Sequence, residues 1–431
     1  MSSVIRGYLR AAALASCCVT IAVACAEADM TLGSVLDTLD AGPSVPLPEE
    51  DAASAEGSAD AGSDAAPDAD ADQATPTCST EGWCHTTVPD AQTLRDVWGD
   101  GAGTVWTVSE QGNILRWDGT AWVQSHAAGV PLYAIWGSSP TDLWAGGGTR
   151  TTGTQVLPGV LLHGTGSSPA TIEWSVVTAP VTIRSIWGTS ATDVWAVASV
   201  THRVNRVDRS VVLHYGGPPE AGDPDGSDAG AATGWEIDPV STDFPAHFEK
   251  VWGTSADDVW IAGRVPPPSG SNATGQVLHR VADGDGALAW RKEQPQTVVT
   301  ARADLNGISF TKSAAAVVGF HGDSSSPYLH TGVSDDNGAT FTWTLRTAAE
   351  TGFANNALSA VWGTGPNDIW VAGQRGRLRQ WDGIRWRVAA VALDDVMPVQ
   401  NAVHAMWGTG ANDIWAVGAD IALHKVDPSG M

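Results

Sequence analysis

Along this chain the same alternation returns again and again: two apolar residues ending in Trp-Gly, a short polar run, then Asp, an apolar residue and a second Trp. The string "IWGTSATDVWAVA" at 186–198 comes back as "VWGTSADDVWIAG" at 251–263 and "VWGTGPNDIWVAG" at 361–373. Copies begin at Trp136, Trp187, Trp252, Trp362 and Trp407, and a variant lacking the Asp before its second Trp begins at Trp98. The segment 305–320, "LNGISFTKSAAAVVGF", fits between the fourth and sixth copies with both tryptophans lost, making seven units. Their period is about 50 residues, in the range of propellers and solenoids.

Within a unit the pattern predicts four short strands. The first ends at Trp-Gly, a tight polar turn follows, and the second is apolar on both faces, so both faces must be covered. A third strand carries Leu followed by His or Arg, and a fourth holds one tryptophan at Trp122, Trp174, Trp235, Trp290, Trp343 or Trp386. Four-stranded antiparallel units stacked around an axis are the blades of a β-propeller. The seventh unit stops after "ALHKVD" without a fourth strand, while "EGWCHT" (81–86) precedes the first unit and matches the missing piece. The expected fold is therefore all-β: a seven-bladed β-propeller over 78–431, its last blade closed by the N-terminal strand, which removes an exposed edge.

This frame absorbs the chain's most conspicuous residues. All 21 tryptophans fall on repeat positions once Trp83, Trp117 and Trp381 are placed, which assigns them to packing between blades; none is left over for a solvent-facing sugar platform. His163, His214, His279, His330 and His424, with Arg116 and Arg379, are expected at one equivalent third-strand position. A ring of histidines invites a metal. Third strands, however, lie about 10 Å farther from the axis than first strands, so these side chains are expected to bond within their own blades, to Asp142, Asp193, Asp258, Asp368 or Asp413, and to hold no metal.

Composition adds location. The net charge of −25 argues against nucleic acid, although 13 of the 48 acidic residues sit in the first 77 positions, leaving the repeats only mildly acidic. Arg6 and Arg10 precede the small-residue apolar run 11–24, which reads as a signal peptide (1–25). "AVAC" ending at Cys25 resembles a bacterial lipobox, with Cys17 in "LASC" as the alternative attachment site. Residues 26–77, rich in Ala, Asp, Ser and Gly, lack the apolar residues to offset ordering entropy and are expected to form a disordered linker. Cys78 and Cys84, close together at the border of the repeats, are expected to form a disulfide in an oxidising compartment.

With "DIWVAG…RLRQWDG" in strand order and "SDDNGATFTW" (334–343) following S-x-D-x-G-x-T, the units over 78–431 resemble the kelch and sialidase-type (BNR, Asp-box) propeller repeats of secreted bacterial lipoproteins. The resemblance implies a fold and no substrate. A sialidase would need an arginine triad, an acidic residue and a nucleophilic tyrosine, and the tyrosines here, Tyr133, Tyr215 and Tyr328, do not match; GxSxG and HExxH are absent. The expected function is an envelope-anchored binding or scaffold protein, with a propeller hydrolase or a structural envelope component as alternatives. No cofactor is expected, and the chain is expected to be a monomer that meets the membrane through its lipid alone. Second-to-third connections are long in units two to four, at 146–159, 199–210 and 263–275, which places ligand binding on that face. Arg150, His202, Arg203, Arg206, Arg209 and Arg264, with Arg375 and Arg377 nearby, outnumber Glu110, Asp208, Asp323 and Asp420 there. That favours an anionic polysaccharide or a protein patch as partner.

Overall fold

The computed structural model describes residues 78–149, 157–202, 207–218, 234–265, 274–282, 285–293, 303–321, 327–346, 348–352, 357–389, 391–394 and 397–430. The chain divides into a unit ending at Ala71 and a second from Asp72 to Met431; the described residues all belong to the second. The signal, Cys17, Cys25 and the linker lie outside them.

Seven four-stranded antiparallel sheets make up the repeats. Their first strands are Leu94–Gly99, Leu132–Ser139, Ile183–Ser190, His247–Ser255, Ala303–Thr311, Leu358–Gly365 and Val403–Gly410. Each packs against the first strand of the next blade, and the seventh packs against the first, so the ring is closed. The fold is a seven-bladed β-propeller. Its closing strand is Trp83–Thr86, which pairs with Ile421–Lys425 so that Trp83 lies opposite Lys425 and Thr86 opposite Ala422. The Thr86 hydroxyl donates to the Ala422 carbonyl at 3.0 Å and accepts from Trp122 Nε1 of the first blade at 2.9 Å. A disulfide joins Cys78 to Cys84 beside this strand.

The structure explains why Trp and Gly travel together. The two repeat tryptophans of a blade face each other across the first two strands, as in Trp187 with Trp195 and Trp252 with Trp260. The first-strand indole then lies over the glycine of the next blade: Trp98 over Gly137, Trp136 over Gly188, Trp187 over Gly253, Trp362 over Gly408 and Trp407 over Gly99. A methyl on any of these glycines would come within 3.0 Å of the ring. The second-strand indole receives the edge of a fourth-strand tryptophan from the following blade. Trp235 meets Trp144 at 5.1 Å and 89°, and Trp83 meets Trp370 at 5.4 Å and 72°. Such edge-to-face pairs add about 0.5–1.5 kcal/mol each beyond area burial. We expect Gly253→Ala to cost about 1–3 kcal/mol through overpacking. In a double-mutant cycle by chemical denaturation, Trp187→Leu should recover part of that loss; full additivity would mean the ring is not what the methyl meets.

The fifth blade departs from this scheme. Ser309 and Ala316 are cross-strand partners where the other blades pair two tryptophans, and Phe310 stands in the glycine position. Toward the fourth blade, phenylalanines restore the contact: Phe310 stacks on Trp260 at 3.9 Å, and Phe341 meets it edge-on at 5.4 Å. Toward the sixth blade no ring among the described residues replaces the lost ones, and Ala316, Val318 and Leu329 pack instead against Leu358, Val361 and Ile369. A small cavity lined by Ser309, Ala316, Gly363 and Ile369 is left there.

Candidate functional site

The histidines resolve into packing. His163, His214, His279 and His424 each sit opposite the second-strand tryptophan and stack on it with ring centroids 3.6–4.1 Å apart. Their Nε2 atoms lie 2.6–2.9 Å from Asp142, Asp193, Asp258 and Asp413 of the same blade. In each case a Ser or Thr hydroxyl four residues earlier donates to the same carboxylate, as Ser138 does to Asp142 at 2.9 Å. The repeated Ser or Thr, Asp and His are thus one hydrogen-bonded unit, stacked on the tryptophan, that ties the first turn to the third strand.

Two expected members of that set are in other positions. His330 pairs with Val317, and Thr331 is the residue opposite Ala316. Arg379 pairs with Val371, while Gln380 faces Trp370 and donates to Asp368 at 2.9 Å. Matching the letters Leu-His and Leu-Arg misplaced both by one residue, because register is fixed by pairing from the turn. Counting back from the Trp-Asp-Gly shared by the first and sixth units would have found Gln380.

A different set of residues converges on the axis. In all seven blades the pairing of first and second strands skips one residue, a β-bulge at the same place each time. The skipped residues are Arg95, Tyr133, Arg184, Glu249, Asn306, Ser359 and His404. A bulge re-aims a side chain out of the ladder. Leaving aside Asn306, whose side chain is not among those described, all of them line one cavity of about 260 Å³. Gly307, Ile308, Ala360, Val361, Ala405 and Met406 complete the lining with Lys250, so every blade contributes and the cavity lies on the ring axis.

Its mouth belongs to the elaborated face. Arg95 is ion-paired with Glu110 in the second-to-third turn of the first blade, and Arg184 Nε donates to the carbonyl of Ser199 at 3.3 Å, in the later half of the second strand Asp193–His202. Deeper in, Lys250 reaches Asp96, three blades away, at 3.4 Å. Burial pushes the Asp96 carboxyl up, while Lys250 and the Ile135 amide pull it down. Burial also opposes ionisation of Glu249, but the His247 hydrogen bond at 2.7 Å and the charges of His247, Arg184 and Arg264 hold its pKa below the ordinary value. His404 is shifted downward by burial and by Arg95, so it is neutral at pH 7. Its Nδ1 donates to the Leu94 carbonyl at 2.9 Å, which leaves Nε2 as an acceptor.

Of the residues the sequence singled out, Arg150, Arg203 and Arg206 lie outside the described residues, as do the side chains of His202 and Arg209. The segment expected as a loop in the third blade is in large part strand, Val200 pairing with Arg209 and His202 with Val207, and in the fourth blade strand reaches into both ends of the segment, where Arg264 pairs with Gly275. Continued backbone pairing satisfies their amides and extends the hairpin beyond the sheet. The charge of Arg264 helps to hold the Glu249 carboxyl low, although Arg264 itself does not line the cavity. Arg377 and Arg379 instead cap the Gly352 carbonyl at 3.4 and 3.2 Å. The Asp-box-like string closes a turn, with Asp336 accepting from Ser334 and Thr340 and lowered to about 2 by these bonds.

No protein-family model matches the sequence, and no curated protein is significantly similar to it. Among solved structures, YCF48 from Cyanidioschyzon merolae is similar with a TM-score of 0.53 at 13% identity, over 80% of this chain and 99% of that one. YCF48 bound to D1 peptide gives 0.53 at 14% identity, over 82% and 99%. The WD40 repeats of RRP9 give 0.52 at 9% identity, over 82% and 99%. At such identities the likeness is one of fold.

Proposed function

We propose that the chain is an exported, envelope-anchored binding propeller whose protein partner docks on the face of the second-to-third connections, over the mouth of the axial cavity. The observation that carries this reading is the bulge repeated in all seven first strands. A bulge leaves one residue out of the ladder; what the bulges do is bring Arg95, Tyr133, Arg184, Glu249, Ser359 and His404 to the lining of one cavity. The fold is shared with YCF48, which has been seen bound to a peptide, and this supports a protein rather than a polysaccharide as partner.

The test compares faces. A photo-crosslinking residue in place of Gln111, exposed at a second-to-third turn, should capture the partner in intact cells, while one in place of Thr192, exposed at a first-to-second turn, should not. Capture from Thr192 alone would move the docking surface to the opposite face. Anchoring is tested separately: the chain should incorporate labelled palmitate in a bacterial host, and Cys25→Ser should abolish it. Labelling lost with Cys17→Ser instead would shift the attachment site, and no labelling at all would leave plain secretion.

A further inference from the structure

The cations that line the axial cavity are not equivalent. Arg95 is committed to Glu110 and Lys250 to Asp96. Arg184 has no carboxylate in salt-bridge contact among the described residues. Its Nε is held by the Ser199 carbonyl, and its guanidinium carbon lies 5.1 Å from the centroid of the Tyr133 ring. The two terminal nitrogens have no acceptor among the described residues. Glu249, the carboxylate of the lining that could compete, is engaged by His247 at 2.7 Å. An arginine fixed at Nε and against a ring, with its outer fork open, is set up for bidentate contact with a planar anion.

The opposite wall has another character. One residue beyond the bulge, the first and fourth blades place Asp96 and Lys250, whereas the fifth, sixth and seventh place Gly307, Ala360 and Ala405. These three are small and line the cavity on that side. Next to them Ile308, Val361 and Met406 are buried and aliphatic. His404 Nε2 adds an acceptor for an amide N–H. At about 260 Å³ the space is slightly below the roughly 300 Å³ at which ligand pockets begin, enough for one residue with its carboxylate.

We propose that the axial cavity binds a peptide carboxylate, held by the fork of Arg184, with a neighbouring aliphatic side chain seated against Gly307, Ala360 and Ala405. This deepens the binding function proposed above and rests on it. A peptide offers anion, aliphatic group and amide N–H together. A uronic acid unit carries hydroxyls on all sides and would leave them unpaired against the aliphatic wall.

The experiment uses the full chain and a dansyl-labelled alanyl-alanyl-leucine with a free C-terminal carboxylate, followed by fluorescence anisotropy. Binding is expected, with a loss of about tenfold or more in Arg184→Gln and a smaller loss in Arg184→Lys, which keeps the charge but not the fork. The amidated tripeptide should lose as much. An amidated peptide with an internal aspartate beside leucine separates the two sources of carboxylate: equal binding assigns the site to acidic side chains, weaker binding to chain ends, and either supports the proposal. Ala405→Leu, which fills the apolar side without touching Arg184, should also abolish binding, with circular dichroism confirming that it folds. No binding of the free acid at about 1 mM, indifference to amidation or to Arg184→Gln, or tighter binding of a galacturonate oligomer would each overturn the proposal. If the partner captured through Gln111 is still captured by Arg184→Gln and Ala405→Leu, the docking face stands and the carboxylate site falls; if Gln111 captures nothing, the docking face falls on its own evidence.

Discussion

Replacing Trp83 with alanine should lower the stability of the propeller by about 3–5 kcal/mol, the cost of deleting a fully buried large aromatic. Trp83 has no exposed surface, and its ring edge meets Trp370 of the sixth blade, so it joins two blades as well as closing one. Thermal unfolding by tryptophan fluorescence should show the transition falling by roughly 4–7 °C. Deleting 78–88 should do more, because it strips the pairing partner from Ile421–Lys425 and leaves an open edge for aggregation. The control is Cys78→Ser with Cys84→Ser, which removes the disulfide and keeps the strand; its six-residue separation limits the effect to about 2–3 kcal/mol at most. If the double serine variant lost as much stability as Trp83→Ala, the clasp would be covalent rather than a matter of strand pairing.

Asp258→Ala should cost about 3–5 kcal/mol, since one carboxylate serves three partners and their loss strands buried donors. His279 Nε2 lies 2.6 Å from Asp258 Oδ1 and Trp260 Nε1 donates to it at 2.7 Å, with Thr254 on the second oxygen. His279 is fully buried. Burial alone would raise the Asp258 carboxyl, but the hydrogen bonds from His279 and Thr254 outweigh it and hold the pKa below the ordinary 3.8. A folded-state pKa below the unfolded value means that the unfolded chain binds the proton more readily. The stabilisation is therefore complete above about pH 4 and is lost as pH falls through the lowered value. Urea denaturation should show a gap between wild type and Asp258→Ala that is widest at pH 7 and shrinks toward pH 3. A gap independent of pH would mean that the residue acts by volume and not by charge.

Most of the architecture was legible because it repeats. Trp187, Gly253 and Asp258 do the same work in blade after blade, so the pattern carries both the blade count and the place of Trp83. The axial site escaped for the converse reason. Its members, among them Arg95, Tyr133, Arg184, Glu249 and His404, share a position but not one chemistry, so no repeated letter ties them together. What unites them is a one-residue slip in pairing, a backbone property that alternation of apolar and polar residues does not reveal. The expected arginine cluster was read from loop composition. Part of it is strand, and the guanidinium with an open fork, Arg184, sits in the first strand Ile183–Ser190, outside those connections.

The uneven treatment of the fifth blade has a mechanical meaning. Elsewhere each joint between blades is held by an indole over a glycine or by a stacked phenylalanine, but between the fifth and sixth blades the positions held by Ser309 and Ala316 supply neither. The ring therefore has two seams of opposite kind. At the seventh blade the polypeptide is interrupted and the aromatic packing is continuous; between the fifth and sixth the polypeptide is continuous and the joint is filled by small and aliphatic side chains, Ala316 and Val318 against Val361 and Ile369. Thermal breathing concentrates where a joint is least tightly held, so backbone amides at the start of the sixth blade should exchange with solvent ahead of those at the start of the others. The propeller would then yield first at an inner joint, while the place where its two ends meet stays shut.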